Sequence, residues 1–409
     1  MAFLTRLHSF ARPFSSLLST SRQVSLSLSL SNTELLKLPR KSGGRAIMTK
    51  MDMNMCSLSP AVSTEASDLE FEVIHDDVKA TEKDDALRLA VSQLANEFSE
   101  ESMLSLQKFF GVRRAQVIST GSLKLDIALG MGGLPKGRIV EIYGREAAGK
   151  TTLALQVIKE AQKHGGYCAY LDVENALDAS LVESIGVNTE KLLVSHPDCA
   201  ENVLSMVDTL TKSRAVDVIV VDSVAALLPK RELDQLGVST KLDLQPRLMT
   251  QALRKIQYSL SHSQTLIIFV NQIRFSPKSA KGCGPAEEVT CGGNALRFYA
   301  AVRLRLSRMG LIKTDDKVEG LRVCVQVAKN KLAPAALKKA ELGIKFGGGF
   351  CHEAEVLDLA CEHGMIVKDE ESYLIEGNTF DTRKAAEVYL AEDDRVFDKL
   401  VMDLRRLYF

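Results

Sequence analysis

The chain has 409 residues, is 45% apolar, carries 52 Lys or Arg against 52 Asp or Glu, and has no tryptophan. That length and apolar content suffice for one large core with small satellites, and no run reaches the roughly 18 apolar residues a membrane span needs. The balanced charge excludes nucleic-acid binding by bulk charge, and the eight scattered cysteines, with no C-x-x-C pair, argue against a disulfide scaffold and suit a reducing compartment.

Residues 1–50 interleave Arg6, Arg12, Arg22, Arg40 and Arg45 with Phe3, Phe10, Phe14 and many serines, almost without acids. This composition predicts a transit peptide. The arginines and early phenylalanines favour the mitochondrial matrix, and the Ser-Leu repeat from Ser25 to Leu30 keeps the chloroplast stroma open. Residues 51–82, polar and acidic, read as a disordered linker. Ala86, Leu89, Ala90, Leu94 and Phe98 recur at helical spacing, which predicts a small N-terminal helical element over 83–115.

A β-branched run, Arg138 to Tyr143, leads into Gly144-Arg145-Glu146-Ala147-Ala148-Gly149-Lys150-Thr151-Thr152 and then into a stretch of helical spacing. This is a complete G-x-x-x-x-G-K-T phosphate loop in the strand-loop-helix setting the motif needs. Gly144 and Gly149 let backbone N–H groups face phosphate oxygens, Lys150 supplies charge, and the Thr151 hydroxyl suits Mg²⁺. Further strands are expected over Tyr167–Glu174, Lys191–Ser195, Val216–Asp222 and Thr265–Asn271, separated by helices. The alternation predicts an α/β fold with a mostly parallel sheet covered on both faces, whose ligands gather at the carboxyl ends of the strands.

Three of those ends carry polar chemistry. Asp222 closes four β-branched positions in a Walker B arrangement and suits the Mg²⁺ shell. Asp172 and Glu174 end their strand, and Glu174 is the better placed to take a proton from a water attacking the γ-phosphate. Asn271 and Gln272 stand where their strand opens into a long loop, so a carboxamide there can sense the γ-phosphate and move that loop. Farther on, Cys351, His352, Cys361 and His363 lie close together, but their spacing fits no standard zinc pattern and suits one helix.

Together these segments resemble the bacterial-type RecA recombinases over residues from about Asp84 to Arg406, with a leader like that of an organelle-targeted plant member. The resemblance rests on Ile118 to Leu123, the phosphate loop, Glu174-Asn175-Ala176-Leu177-Asp178, Val218 to Leu228, Asn271-Gln272-Ile273-Arg274, Gly292 to Tyr299 and Lys329-Asn330-Lys331. It implies a RecA-like P-loop NTPase core over 116–345, a small C-terminal α+β domain over 346–409, and ATP with Mg²⁺ as cofactors. By position it makes Glu174 the catalytic glutamate, Gln272 the γ-phosphate switch and Asp178 an adenine contact. It places Phe346 on the adenine ring, with Leu181 where a tyrosine is usual. Lys329 and Lys331, which alone read as surface lysines, would reach the ATP of a neighbouring subunit. A site completed by a neighbour implies a helical filament. Phe298, which unaided reads as core, matches an interface aromatic.

The resemblance further implies that two loops face DNA. The first spans about 232–246, with Arg247 and Arg254 beside it. The second spans about 274–293, with Arg274, Lys278, Lys281, Thr290, Gly292, Gly293 and Asn294, and holds Cys283 and Cys291. Phe275 is the one aromatic in either loop, so a strand would be held by phosphate charge and backbone N–H groups more than by stacking. The acidic tail common in bacterial members is absent before Phe409, and less restrained duplex capture is expected. The implied activity is ATP-dependent strand exchange by a DNA-dependent ATPase. Its partners would be single- and double-stranded DNA, further copies of the chain, and single-strand-binding and loading proteins. A ring helicase or repair-accessory ATPase on the same core is the alternative, and a nucleotide-gated regulator without DNA binding is a third.

Overall fold

A computed structural model of the chain describes residues 85–90, 92–93, 116–234, 244–276, 287–314, 317–334, 338–369 and 372–409. The expected leader and linker lie outside the described residues, as do most of the 83–115 element and the loop tips carrying Lys278, Lys281 and Cys283. The chain divides into two units, Met1–Ala90 and Val91–Phe409. In the first, residues 85–90 are helical; all numbered elements lie in the second.

That second unit opens with β1 (Val117–Ile118), α1 (Leu123–Leu129) and β2 (Leu134–Pro135), the two short strands pairing antiparallel. There follow β3 (Ile139–Gly144), α2 (Lys150–Lys163), β4 (Cys168–Asp172), α3 (Ala179–Ile185), β5 (Leu192–Ser195), α4 (Ala200–Ser213) and β6 (Val218–Asp222). Next come α5 (Lys230–Asp234), α6 (Leu244–Leu260), β7 (Leu266–Ser276), β8 (Glu287–Thr290), α7 (Ala295–Tyr299), β9 (Val302–Thr314) and β10 (Lys317–Asn330). β11 (Lys339–Lys345) and β12 (Gly349–Phe350) complete a ten-stranded sheet in the order β12-β11-β10-β9-β3-β7-β6-β4-β5, with β8 paired to β7. From β9 to β5 the pairs are parallel; β9 through β12 pair antiparallel.

Strands apolar at nearly every position fit a sheet covered on both faces, and here the two faces sort by residue parity. Val218, Val220, Ile268 and Val270 face a core with Leu153, Leu155 and Ile158 of α2. Ile219, Val221, Ile267 and Phe269 face the opposite core with Val203 and Val207 of α4 and Met249, Leu253 and Ile256 of α6.

Several boundaries differ from the sequence reading. β4 stops at Asp172, because the N–H groups of Val173 and Glu174 both turn onto the Asp222 carbonyl, at 2.7 and 3.3 Å, and Asn175 takes a left-handed φ of 53°. β7 does not open at Gln272: it runs on to Ser276 and pairs with the returning β8, so the second loop stands on a hairpin stem. Arg247 and Arg254 lie within α6, and β12 carries the large sheet past the boundary expected at 346.

Beyond β12 come α8 (His352–Glu362), an antiparallel sheet of β13 (Val367–Asp369), β14 (Ser372–Ile375) and β15 (Asn378–Phe380), then α9 (Arg383–Glu392) and α10 (Asp394–Tyr408). Val396, Leu400 and Leu404, at helical spacing on α10, join Val356, Leu359 and Ala360 of α8 and Leu123 of α1 in one cluster. Two buried acids fasten these helices to α1. Glu355 of α8 accepts from Ser122 Oγ at 2.9 Å and from Lys124 N. Asp126 of α1 accepts from Ser119 Oγ at 2.6 Å, Thr120 N at 2.9 Å, Thr120 Oγ1 at 2.8 Å and the Arg405 guanidinium of α10. Burial pushes the Asp126 carboxyl up to about 6 and the Glu355 carboxyl up to about 7. His352 meets Gln156 at 3.1 Å and His363 meets Tyr408, so the histidines of the Cys-His group are engaged at opposite ends of α8. Among the described residues no cluster of His, Cys, Asp or Glu is arranged to hold a metal, and no helix is long and apolar enough to cross a membrane.

Candidate functional site

The phosphate loop leaves β3 at Gly144, where the backbone passes so close to β9 that a Cβ would fall 2.4 Å from the Leu306 carbonyl oxygen. Ala147 and Gly149 take left-handed φ values of 52° and 81°, and a Cβ on Gly149 would meet Ile344 Cδ1 at 2.5 Å. The loop is thus bent by two residues and pressed against the sheet at two glycines, while Arg145, Glu146 and Ala147 are exposed and Ala148 is buried. Lys150 begins α2 and donates to the Arg145 carbonyl at 2.8 Å across the loop. Burial lowers the Lys150 pKa, with Asp222, Glu174 and Glu146 opposing that shift.

At the end of β6, one Asp222 oxygen accepts from Thr151 Oγ1 and from Tyr170 OH, each at 2.7 Å. Burial raises the Asp222 pKa, and the two hydroxyl donors work against it. The Asp222 carbonyl, by holding Val173 and Glu174 N–H, sets the turn that brings Glu174 beside β6 and β7. Glu174 Oε1 accepts from Ser223 Oγ and from Gln272 Nε2, the latter at 2.9 Å. Lys150, Thr151, Asp222, Glu174 and Gln272 therefore converge at one end of the sheet. Thr151 and Asp222 present two hard oxygen donors side by side, the donor set Mg²⁺ takes, and the loop bent at Ala147 and Gly149, with the Lys150 ammonium at its end, suits a phosphate chain.

A polar group behind this corner was not foreseen. Glu141, fully buried on β3, pairs with Arg303 opposite it on β9 and accepts from Asn271 Nδ2 at 2.9 Å. Asn271 also donates to the Cys291 carbonyl at 3.0 Å, and its Oδ1 accepts from Gln272 N at 2.8 Å. Arg303 lies over the Tyr143 ring, 4.5 Å from its centroid. Asn271 is thus a fixed post between β3 and the returning end of the hairpin, and Gln272, one residue on, faces Glu174. The signal available in the sequence was the acid at the third position of an otherwise apolar strand.

The hairpin carries Arg274, exposed and opposite Val289, and Thr290, opposite Ile273. Its return ends in Gly292 and Gly293, both left-handed, where added Cβ atoms would lie 2.8 Å from Val224 Cγ1 and from Pro246 Cβ; Asn294 beyond them is exposed. Glu288 on β8 meets Arg305 of β9 at 2.6 Å and Arg145 of the phosphate loop at 3.6 Å. Arg247 and Arg254 are both exposed on α6.

Other expected site residues lie apart. Asp178 caps α3, accepting from Ser180 N and Oγ at 3.0 and 2.7 Å, which lowers its pKa. Leu181 packs against the α2-side core, and Phe346, after β11, is 61% exposed. Phe298 is 71% exposed, not core. Lys329 and Lys331 both donate to the Phe298 carbonyl, at 3.3 and 3.0 Å, and Lys329 also reaches the Arg297 carbonyl at 2.6 Å. Burial, then the neighbouring Lys331 and Arg303 charges, lowers the Lys329 pKa to about 8. Ala301 N, just after α7, donates to the Ile139 carbonyl, so these ammonium groups sit at the start of β3. The phosphate loop leaves its far end at Gly144, five residues on, or about 17 Å along a strand.

Residues 85–351 match the family described as RecA N-terminal domain. The chain is 49% identical over 325 residues to the DNA repair protein recA homolog 3, mitochondrial, of Arabidopsis thaliana, a match covering 80% of this chain and 75% of that protein. It is 45% identical over 326 residues to Protein RecA of Nitrobacter winogradskyi, covering 80% and 89% respectively. With Protein RecA of Azospirillum lipoferum the identity is 46% over 325 residues, covering 79% and 89%.

Proposed function

The chain belongs to the RecA family, and from that premise we propose an ATP-dependent DNA recombinase that assembles on single-stranded DNA and carries out homologous pairing and strand exchange in DNA recombination and repair. It is a DNA-dependent ATPase, and its setting is an organelle: the named Arabidopsis relative is mitochondrial, and the arginine-rich residues 1–50 favour the mitochondrial matrix over the chloroplast stroma.

In this reading the loop Gly144 to Thr152 cradles the phosphates and Lys150 moves from the Arg145 carbonyl onto them. Thr151 and Asp222 hold Mg²⁺, whose part is to neutralise charge on the phosphate oxygens. Glu174 takes the proton of the attacking water, Ser223 and Gln272 keeping its carboxylate aimed. Gln272 exchanges Glu174 for the γ-phosphate and, through its place on β7, moves the hairpin that bears Arg274 and Thr290. Asp178 and Phe346 receive the adenine. Arg247, Arg254, Arg274, Thr290, Gly292, Gly293 and Asn294 meet the DNA strand.

The observation that carries the filament part is the separation along β3. Lys329 and Lys331 stand at the end of the sheet opposite their own phosphate loop, so a lysine contact to phosphate needs a second copy, with Phe298 exposed beside it. Contacts between unlike ends repeat without closing and generate a helix.

The test is ATP hydrolysis with and without single-stranded DNA, together with electron microscopy in Mg²⁺ and a slowly hydrolysed ATP analogue. Stimulated hydrolysis and coated strands are expected, both lost in Lys150→Ala. Rings, or hydrolysis indifferent to DNA, would overturn the reading.

A further inference from the structure

The expected DNA loops offer little to a base, since Phe275 is their one aromatic. The structure supplies another candidate outside them. Tyr258, on the last turn of α6, is 71% exposed and is met edge-on by His262, ring centroids 5.8 Å apart at 79°.

Its position on the helix is what matters. At about 100° per residue, Arg247, Arg254 and Tyr258 fall within a stripe of about 40°, and along the axis Tyr258 stands about 6 Å beyond Arg254 and Arg254 about 10 Å beyond Arg247. The 17 residues of α6 contain no acid. Of its cations Lys255 is taken by Asp208 at 2.9 Å, whereas among the described residues neither Arg247 nor Arg254 has a carboxylate partner. The opposite face, with Met249, Leu253 and Ile256, is sealed in the core, so the stripe has one way to face. Two unneutralised guanidinium groups followed in line by an open phenol ring match the alternation of a polynucleotide, which offers phosphate and then a planar base.

We propose that Tyr258 stacks on a base of the bound single strand and extends the contact of Arg247 and Arg254 along α6, giving this protein an aromatic platform outside its two loops. The proposal rests on the DNA-binding reading above.

It is tested on the full chain with a slowly hydrolysed ATP analogue, by fluorescence anisotropy on an oligothymidylate and on an abasic oligomer of the same length. Tyr258→Ala is expected to weaken binding of the oligothymidylate about fivefold or more and to leave the abasic oligomer untouched, while Tyr258→Phe binds as wild type. An equal loss on both oligomers, or no loss on either, overturns the stacking proposal. So does a change in self-association without DNA by sedimentation, which would assign Tyr258 to contacts between copies. Arg254→Ala, expected to weaken both oligomers alike, reports on the parent reading; a wild-type protein that binds neither oligomer overturns that reading and this inference with it.

Discussion

The nucleotide corner and the face where α8 and α10 meet α1 are both made of acids meeting hydroxyls, yet they differ in what is left unused. At the docking face, Asp126 is wholly buried and takes Ser119, Thr120 twice and Arg405, while Glu355 spans Ser122 and the Lys124 N–H. At the corner, Glu174 is exposed and both partners crowd one oxygen, Oε1, and the Lys150 ammonium is parked on a backbone carbonyl. A saturated buried network fixes one arrangement; a partly satisfied exposed one can trade partners when phosphate arrives.

The largest expected effect sharpens that contrast. Glu174→Gln should lower turnover about 10²- to 10⁴-fold, as loss of a general base does, with a urea midpoint close to wild type because the side chain is exposed. Arg405→Ala should do the reverse. It leaves Asp126 buried without its cation and should cost about 3 kcal/mol of stability in urea denaturation, with little change in turnover by the folded fraction. If both variants lost activity and stability together, the two regions would not be separable as described.

Acidity separates them next. The Glu355 carboxyl sits near 7 when folded against an ordinary value near 4.5, so between those pH values the folded protein holds a proton that the unfolded chain has released. Its contribution is fully present below about 4.5 and is lost as pH rises through 7. The difference is of the order of 3 kcal/mol. Asp126 pulls the same way, while Lys124 favours the charged form of Glu355 and Arg405 that of Asp126. Glu355→Gln, which cannot titrate, should therefore show a flatter stability curve than wild type between pH 5 and 8. Parallel curves would mean that Glu355 is already ionised in the fold.

What was legible in the sequence is what the chain keeps local. The phosphate loop, the Walker B strand and the polar residues at strand ends are contiguous, and apolar runs long enough for a two-faced sheet announce their own burial. What escaped is made by pairing across distance. Glu141 meets Arg303 because β3 lies beside β9 in a fixed register, and Asp126 meets Arg405 across the chain. The early end of β4 escaped for a similar reason: Tyr167 to Asp172 give no sign that Asp222, on the neighbouring strand, captures the next two N–H groups. The hairpin stem of β7 and β8 was hidden by its charged and polar residues, which read as loop.

The smallest effect tests whether the hairpin speaks to the phosphate loop by more than Gln272. Glu288 spans Arg305 and Arg145, but the side chains of the three residues are 30%, 39% and 70% exposed, and surface pairs of this kind contribute about 0–1 kcal/mol. Any coupling it carries must be reciprocal, so nucleotide affinity measured with and without single-stranded DNA reads it directly. Glu288→Gln should reduce the DNA-dependent change in nucleotide affinity by no more than about fivefold. Near 1 M salt, where the screening length is about 3 Å, variant and wild type should converge. A variant already equal to wild type at low salt would point to Gln272 as the link, because the Asn271 contact to the Cys291 carbonyl is buried and has no charge for nucleotide or DNA to displace.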